Sequence, residues 1–259
     1  MYNVIEYPDG QITVNVECVT QTHFVERVQS YKDLFRLKSL SDAFYYVNGY
    51  YPSVSIPCLF GQQSDRRFSP YESFDLKNIC QFINSCNFSQ VEVFDPHSDV
   101  PEALLNNFVK KSPDNFIFNS ITDIISKEEY SNVVLVSPDA GAYKKVYKLA
   151  EKWSHDLVAA NKSRDRFGNI NLTVAGDVKN KICLIVDDIA VGGKTFTVLA
   201  EKLLTLGASS VYLYVSHGYF VKGFDELNIL KGIYCTDSIK EIKHDLVTQY
   251  KGLKCDMYI

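Results

Sequence analysis

ICLIVDDIAVGGKTFTVLAEKLLTLGASSVYLYVSHG, residues Ile182–Gly218, decides the fold. An apolar, β-branched run from Ile182 to Val186 ends in two adjacent acids, Asp187 and Asp188. A turn of small residues follows (Ala190, Val191, Gly192, Gly193), Lys194 and Thr195 open an amphipathic stretch, and a second apolar run spans Val211 to Val215. Strand, loop, helix, strand is the repeating unit of a parallel α/β sheet. Ligands of such sheets sit at the carboxyl ends of the strands, where this loop falls. Carboxylates there accept hydrogen bonds from vicinal sugar hydroxyls, while glycine amides and a helix N-terminus receive a phosphate. The order Asp-Asp-x-x-x-Gly-Gly-x-Thr therefore points to a phosphorylated sugar. A plainer reading stands beside it, since acids at a strand end followed by glycines are also common in solvated loops. The loop is not a Walker motif: the first glycine of G-x-x-x-x-G-K-[ST] would fall on Asp188.

The bulk numbers narrow the class. With 259 residues the chain has room for one large domain or two smaller ones. A hydrophobic share of 46% against 22% charged residues fits a soluble globular protein. A net charge of −4 without a basic block argues against a nucleic-acid surface. The first twenty residues carry acids and no apolar core of signal-peptide length, and no run approaches a membrane span. Seven scattered cysteines without a C-x-x-C pair disfavour zinc and a disulfide framework, so a reducing cytoplasm is expected.

The chain reads as two α/β halves. Short strands at Val4–Glu6 and Gln11–Val16 flank the turn Tyr7-Pro8-Asp9-Gly10. A helix is expected near Tyr31–Val47, a strand at Ser53–Leu59, a helix over Phe74–Ser85 with Leu76, Ile79, Cys80 and Ile83 at helical spacing, and a strand at Val91–Phe94. The polar stretch around Pro113-Asp114-Asn115 suggests a link at about Asn119–Tyr130, hence domains of 1–125 and 126–259. Then follow a strand (Val133–Val136), a loop (Ser137–Gly141), a helix (Lys144–Trp153) and a polar loop (Asn161–Asn171).

Further polar groups fall where strands end. Asp95-Pro96-His97-Ser98 offers a carboxylate and an imidazole, Ser137-Pro138-Asp139-Ala140-Gly141 a carboxylate and a glycine entering a helix, and Asp65-Arg66-Arg67 lies in a long polar loop. A nucleotide polyphosphate needs a divalent cation with its ligands, and cations to meet charge on the leaving group. His97 and Asp139 are candidates for the first requirement. Each also has a simpler explanation: His97 as a hydrogen-bonded loop histidine, Asp139 as a helix N-cap.

Together these segments resemble the ribose-phosphate pyrophosphokinases (PRPP synthetases). Ser137-Pro138-Asp139-Ala140-Gly141, Gly176-Asp177-Val178-Lys179, Val186-Asp187-Asp188-Ile189 and Ser216-His217-Gly218-Tyr219-Phe220 occur in that family's order and at about its spacing. In the first half, Tyr7-Pro8-Asp9-Gly10-Gln11 is similar to the family's Phe-Pro-Asp-Gly-Glu, Ile56-Pro57-Cys58 to its loop-bearing strand, and Asp95-Pro96-His97-Ser98 to its Asp-Leu-His-Ser. The resemblance covers roughly residues 3–259. Glu72–Lys77 and Asp95–Val100 look most similar to the short homologues of some bacteria and phages.

The resemblance implies two phosphoribosyltransferase-like parallel-sheet domains in tandem, an ATP side first and a ribose-phosphate side second. It implies transfer of the β,γ-diphosphate of Mg-ATP to a ribose 1-hydroxyl, with release of AMP. By position, Asp187 and Asp188 would hold the ribose 2- and 3-hydroxyls, and Ala190, Val191, Gly192, Gly193, Lys194 and Thr195 the 5′-phosphate. Gln63, Asp65, Arg66 and His97 would bind ATP, and His97 and Asp139 would coordinate Mg²⁺. The catalytic Lys-x-Arg would fall on Lys162 and Arg164, where a closing cationic loop supplies on the order of 3 kcal/mol per well-placed donor. Without the resemblance, Lys162, Arg164 and Arg166 also read as a solvated loop.

Two departures stand out. In the phosphate loop the family's leading acid is Val191 and a cation, Lys194, has entered. In the adenine-side loop, Gln62-Gln63-Ser64-Asp65-Arg66 lacks the first arginine of the usual Ala-Arg-Gln-Asp-Arg. The first change suggests an acceptor with a larger 5′ group, ADP-ribose being the candidate through a role in NAD rebuilding. The chain ends at Tyr258-Ile259, about where the last strand is expected to finish, whereas full-length relatives continue into a further helix and form regulated hexamers. A smaller homo-oligomer is expected, in the cytoplasm (of the host, if phage-encoded), with no nucleic-acid or membrane partner. Two rivals remain: a phosphoribosyltransferase that consumes PRPP, and a non-catalytic regulatory homologue.

Overall fold

The computed structural model describes residues 2–16, 20–128, 132–164 and 170–251, with the backbone alone at 162–164 and 170–171. The chain forms two compact units, Met1–Ser112 and Pro113–Lys251.

In the first unit, β1 (Tyr2–Glu6) and β2 (Ile12–Val16) form the expected hairpin, with Glu6 opposite Ile12. Gly10 at φ 86° donates its N–H to the Tyr7 carbonyl, the left-handed position a tight turn gives to glycine. Four short strands build a parallel sheet in chain order: β3 (His23–Val25), β4 (Ser53–Ile56), β5 (Gln90–Phe94) and β6 (Phe108–Lys111). The crossovers carry α1 (Tyr31–Asn48), α2 (Asp75–Ser85) and α3 (Val100–Leu104). Ser30 caps α1 by accepting the Asp33 N–H, and Gly49 ends it at φ 76°. Val54, Ile56, Val91 and Val93 bury one sheet face with Leu34, Leu37, Leu76, Ile79 and Ile83. The other face carries a polar row: the His23 ring nitrogens lie 2.7 and 2.9 Å from Ser53 and Ser55, and Ser55 donates to Glu92.

The second unit opens with α4 (Asp114–Lys127), over most of the segment expected to be a link. Pro113-Asp114 reads as loop by composition but is also a helix-starting pair, and Ile117, Ile121 and Ile124 form its buried stripe. The expected division at 125/126 thus falls inside a helix of this unit. The remaining elements are β7 (Val133–Ser137), α5 (Ala140–Trp153), β8 (Leu157–Arg164), β9 (Ile170–Ala175), β10 (Ile182–Ala190), α6 (Lys194–Thr205), β11 (Ser210–Gly218), β12 (Gly232–Thr236) and β13 (Val247–Tyr250). They form a sheet in the order β13-β12-β11-β10-β7-β8-β9, parallel except for β8–β9.

Both faces of this sheet are covered. Val134, Val136, Cys183 and Ile185 pack with Leu199 and Leu203 of α6, whereas Leu135, Leu184 and Val186 pack with Ile117 and Ile121 of α4 and Val146 and Leu149 of α5. Burial on both sides is why these strands are unbroken apolar runs in the sequence. Within the polar loop expected over 161–171, the described residues 161–164 and 170–171 instead belong to an antiparallel pair at the sheet edge, with Lys162 opposite Leu172 and Arg164 opposite Ile170. An edge ribbon lacks the apolar run that marks a central strand, so its composition resembles a loop. Among the described residues, no helix is long and apolar enough to cross a membrane.

Candidate functional site

The strand order locates the site of the second unit. After β7 the chain places β8 on one side and then returns to put β10 on the other, so the order reverses between β7 and β10. In open α/β sheets, ligands bind in the crevice at such a reversal, outside the carboxyl ends of the strands. β7 pairs with β10 only as far as Val136 opposite Ile185, because the chain then turns into α5. β10 continues to Ala190, supported by β11 alone: Asp187 lies opposite Val215, Ile189 opposite His217 and Ala190 opposite Gly218. The two acids therefore sit within a strand, not in the loop after it as the sequence pattern suggests.

Asp188 is buried, and its N–H donates to Asp187 Oδ1 at 2.9 Å. Burial first, then the charge and hydrogen bond of Asp188, and finally the charge of Asp139 lift the Asp187 carboxyl well above the usual carboxylate range. Asp139 thus reaches across the crevice electrostatically from the end of β7. It is also the N-cap of α5: its Oδ1 accepts the N–H groups of Gly141 and Ala142 at 2.8 and 3.0 Å. The helix begins at Ala140, four residues earlier than its apolar pattern suggests.

The turn after β10 is built to leave amides available. Gly193 adopts φ 80° immediately before α6, with the Leu227 side chain 3.2 Å from where a Cβ would sit. Lys194 and Thr195 are the first two residues of the helix, so their N–H groups have no intrahelical partner. A polar cluster buttresses the end of β11. His217 is fully buried, its Nδ1 2.9 Å from Ser238 Oγ, and the Ser216 carbonyl accepts from the Thr236 and Ser238 hydroxyls. Gly218 admits no side chain, since a Cβ there would come within 2.4 Å of the Phe220 ring.

The first unit holds its polar groups on connections past β4 and β5. Asp65 is buried while Arg66 is exposed, and Arg66 Nε donates to Asp65 Oδ1 at 2.9 Å. Burial works to raise the Asp65 carboxyl, but hydrogen bonds from Arg66 and Ser98 and the charges of Arg66 and His97 outweigh it and hold it below its ordinary value. Buried Gln62 ties the two connections together: Oε1 accepts the His97 N–H at 3.2 Å and Nε2 faces Cys58 Sγ at 3.4 Å. Gln63, the residue singled out from the sequence, is exposed. The structure thus brings Asp65, Arg66 and His97 together in one unit, and Asp139, Asp187, Asp188 and the 190–195 turn in the other. Lys162 and Arg164 lie on β8, and their side chains fall outside the described residues. Composition offered no signal for Gln62, Thr236 or Ser238, since each matters through burial, nor for the half-buried Ser98, which acts through its hydrogen bond to Asp65.

A parallel sheet with paired acids and a Gly-Gly turn at its reversal point defines a phosphoribosyltransferase-type domain, and residues 116–251 match the phosphoribosyl transferase domain family. The chain is 30% identical over 213 residues to the ribose-phosphate pyrophosphokinase of Brucella melitensis, covering 80% of this chain and 67% of that one. It is 32% identical over 184 residues to the ribose-phosphate pyrophosphokinase of Rhizobium meliloti, covering 69% and 58%. The crystal structure of phosphoribosylpyrophosphate synthetase from Mycobacterium smegmatis has the same fold, with a TM-score of 0.85 at 17% identity over 97% of this chain and 86% of that one. The chain belongs to the ribose-phosphate pyrophosphokinase family. Its match spans about three fifths of the length of several curated relatives, 58% for those from Rhizobium meliloti and Dictyostelium discoideum.

Proposed function

We propose that the chain is an ATP-dependent diphosphotransferase, in which a ribose 1-hydroxyl oxygen attacks the β-phosphorus of ATP. The bond from that phosphorus to the α–β bridging oxygen breaks, AMP leaves with that oxygen, and the hydroxyl proton is lost to solvent or base. The observation that supports this best is the crevice between β7 and β10, where Asp187, Asp188 and the Gly192-Gly193 turn share one strand end.

In this reading Asp187 and Asp188 accept hydrogen bonds from the ribose diol, and the Asp188 N–H that donates to Asp187 Oδ1 favours the ionised form of that acid. The backbone N–H groups of Gly192–Thr195 take the 5′-phosphate. Asp65, Arg66 and His97 serve the nucleotide, and Lys162 and Arg164 meet the charge developing on the transferred group. Mg²⁺ is commonly held by one or two protein groups plus substrate phosphates. Asp139 and His97 are the candidate side chains for it. The Asp139 cap uses only Oδ1, so the carboxylate fits an oxygen-seeking cation. Bound there, the cation would neutralise phosphate charge.

The acceptor proposed is a ribose with an extended 5′ group, ADP-ribose, because the turn carries Val191 and Lys194 where the family has an acid and no cation. The purified chain is incubated with Mg-ATP and each acceptor in turn, and AMP is followed by chromatography. AMP release dependent on ADP-ribose is the expected result. Turnover on ribose 5-phosphate alone removes the extended acceptor, and pyrophosphate release from PRPP with a base identifies a phosphoribosyltransferase instead. Absence of AMP release with every acceptor tested would point to the regulatory homologue.

A further inference from the structure

After β11 the chain folds back onto the phosphate turn. Tyr219 and Phe220 both donate their N–H groups to the Ala190 carbonyl, at 2.9 and 3.2 Å, and Val221 donates to the Val191 carbonyl at 2.9 Å. These bonds fix the register of the two segments and deliver Lys222 beside the glycines. A Cβ built on Gly192 would lie 3.8 Å from Lys222 Cε and 3.9 Å from its Cδ. The lysine stem therefore runs along the turn, and its ammonium lies one bond beyond. Lys194 is exposed at the start of α6 on the same turn. Among the described residues neither lysine forms an ion pair. The nearest acids in sequence, Asp225 and Glu226, are exposed on the following 3₁₀ turn.

Backbone amides at a helix N-terminus suffice for one phosphate group. A second phosphate adds charge that those dipoles do not neutralise, and a lysine acts toward it as a mobile point charge. Here that mobility is reduced, because the hydrogen bond of Val221 to Val191 anchors the residue before Lys222. Val191 and Val221 form an apolar lip, 36% and 65% exposed, at the outer end of the turn. We propose that Lys222 is a specificity residue that, with Lys194, selects riboses carrying a 5′-diphosphate over those carrying a single 5′-phosphate. This rests on the reading of the turn as the 5′-phosphate site.

The test is calorimetric titration of the full chain with ADP-ribose and with ribose 5-phosphate, for the parent, Lys222→Met and Lys222→Arg. Methionine retains the stem and removes the charge. The parent is expected to bind ADP-ribose more tightly. In Lys222→Met the ratio of affinities for ADP-ribose over ribose 5-phosphate falls about five- to tenfold, the fall shrinks with added salt, and Lys222→Arg restores most of the ratio. An unchanged ratio in Lys222→Met, or a parent that prefers ribose 5-phosphate, overturns the assignment of Lys222 while leaving the diol and phosphate site standing. A parent that binds neither ribose overturns both.

Discussion

At the carboxyl edge of the seven-stranded sheet, Asp187 and Asp188 lie within β10 and are braced by β11, which in turn rests on the buried polar cluster of Ser216, His217, Thr236 and Ser238. At the carboxyl edge of the four-stranded sheet, Asp65, Arg66 and His97 lie on connections, and the side chain of Gln62 holds one connection to the other. The first arrangement fixes acids before any ligand arrives, at the expense of burying like charges together. The second leaves Arg66 and His97 exposed. A rigid sugar diol calls for fixed acceptors, whereas a triphosphate has many conformations and is met better by cations on adjustable segments. The seven-stranded sheet also has a reversal of strand order at its site and the four-stranded sheet has none, so only the former supplies a ready-made crevice.

The largest effect expected is kinetic. Lys162→Ala lowers the rate of AMP formation by about two orders of magnitude or more, on the usual weight of a donor aimed at developing charge. Single-turnover measurement with Mg-ATP and acceptor reads it directly. A silent substitution would mean that the β8–β9 ribbon has no part in transfer. Next comes Gln62→Ala. It removes the buried acceptor of the His97 N–H and leaves a cavity, which should lower stability by about 2 kcal/mol in urea denaturation. It should also raise the KM for ATP more than that for the acceptor. Equal changes in both constants would break the division of labour between the two edges.

How far the sequence carried these conclusions depended on burial. The Ile182–Val186 and Val211–Val215 runs are legible because both sheet faces are covered, so apolar character is continuous. The start of α6 at Lys194 is legible because Gly192-Gly193 punctuates it. Three features were not. The extension of β10 through Asp187 and Asp188 is masked because acids rarely continue a strand, and only the partner β11, itself running on to Gly218, shows why they do here. The ribbon of β8 and β9 is masked by its polar edge composition. Helix α4 is masked by Pro113-Asp114-Asn115, which reads as loop until the isoleucines three and four residues apart are counted. Of the candidate site, the sequence singled out residues by charge and by their place at strand ends, such as Asp65, His97, Asp139, Asp187 and Asp188. Gln62, a buried link between two connections, and Lys222, whose nearness to Gly192 depends on the fold, needed the structure.

The buried acid pair gives a smaller and oppositely signed prediction. In the folded chain the Asp187 carboxyl binds its proton more tightly than the ordinary carboxylate value of 3.8. Between that value and the raised one the folded state holds more protons than the unfolded state, so this group's contribution to stability falls as pH rises through the window. Asp187→Asn retains an oxygen for the Asp188 N–H and cannot ionise. It should melt about 2–4 °C above the parent at pH 7, with the advantage vanishing as the pH drops below about 4, while acceptor binding is lost. A variant less stable than the parent at pH 7 would show that the pair is not strained in the folded chain, and would bring the two edges closer in kind.

The smallest structural effect belongs to Asp139, and it separates the helix cap that the structure shows from the metal-holding role proposed for the same side chain. As an N-cap the residue is replaceable by asparagine, whose side-chain oxygen accepts the same N–H groups about as well. Asp139→Asn should therefore change stability by no more than about 0.5 kcal/mol. A carboxylate that also holds a divalent cation is not replaceable in this way, because the amide offers a weaker, uncharged ligand. The Mg²⁺ concentration that gives half-maximal AMP formation should then rise while the melting temperature stays put. If both stay put, Asp139 is a cap and nothing more. The cation would then be held without help from the end of β7, and the charge that Asp187 feels from across the crevice would be incidental to transfer.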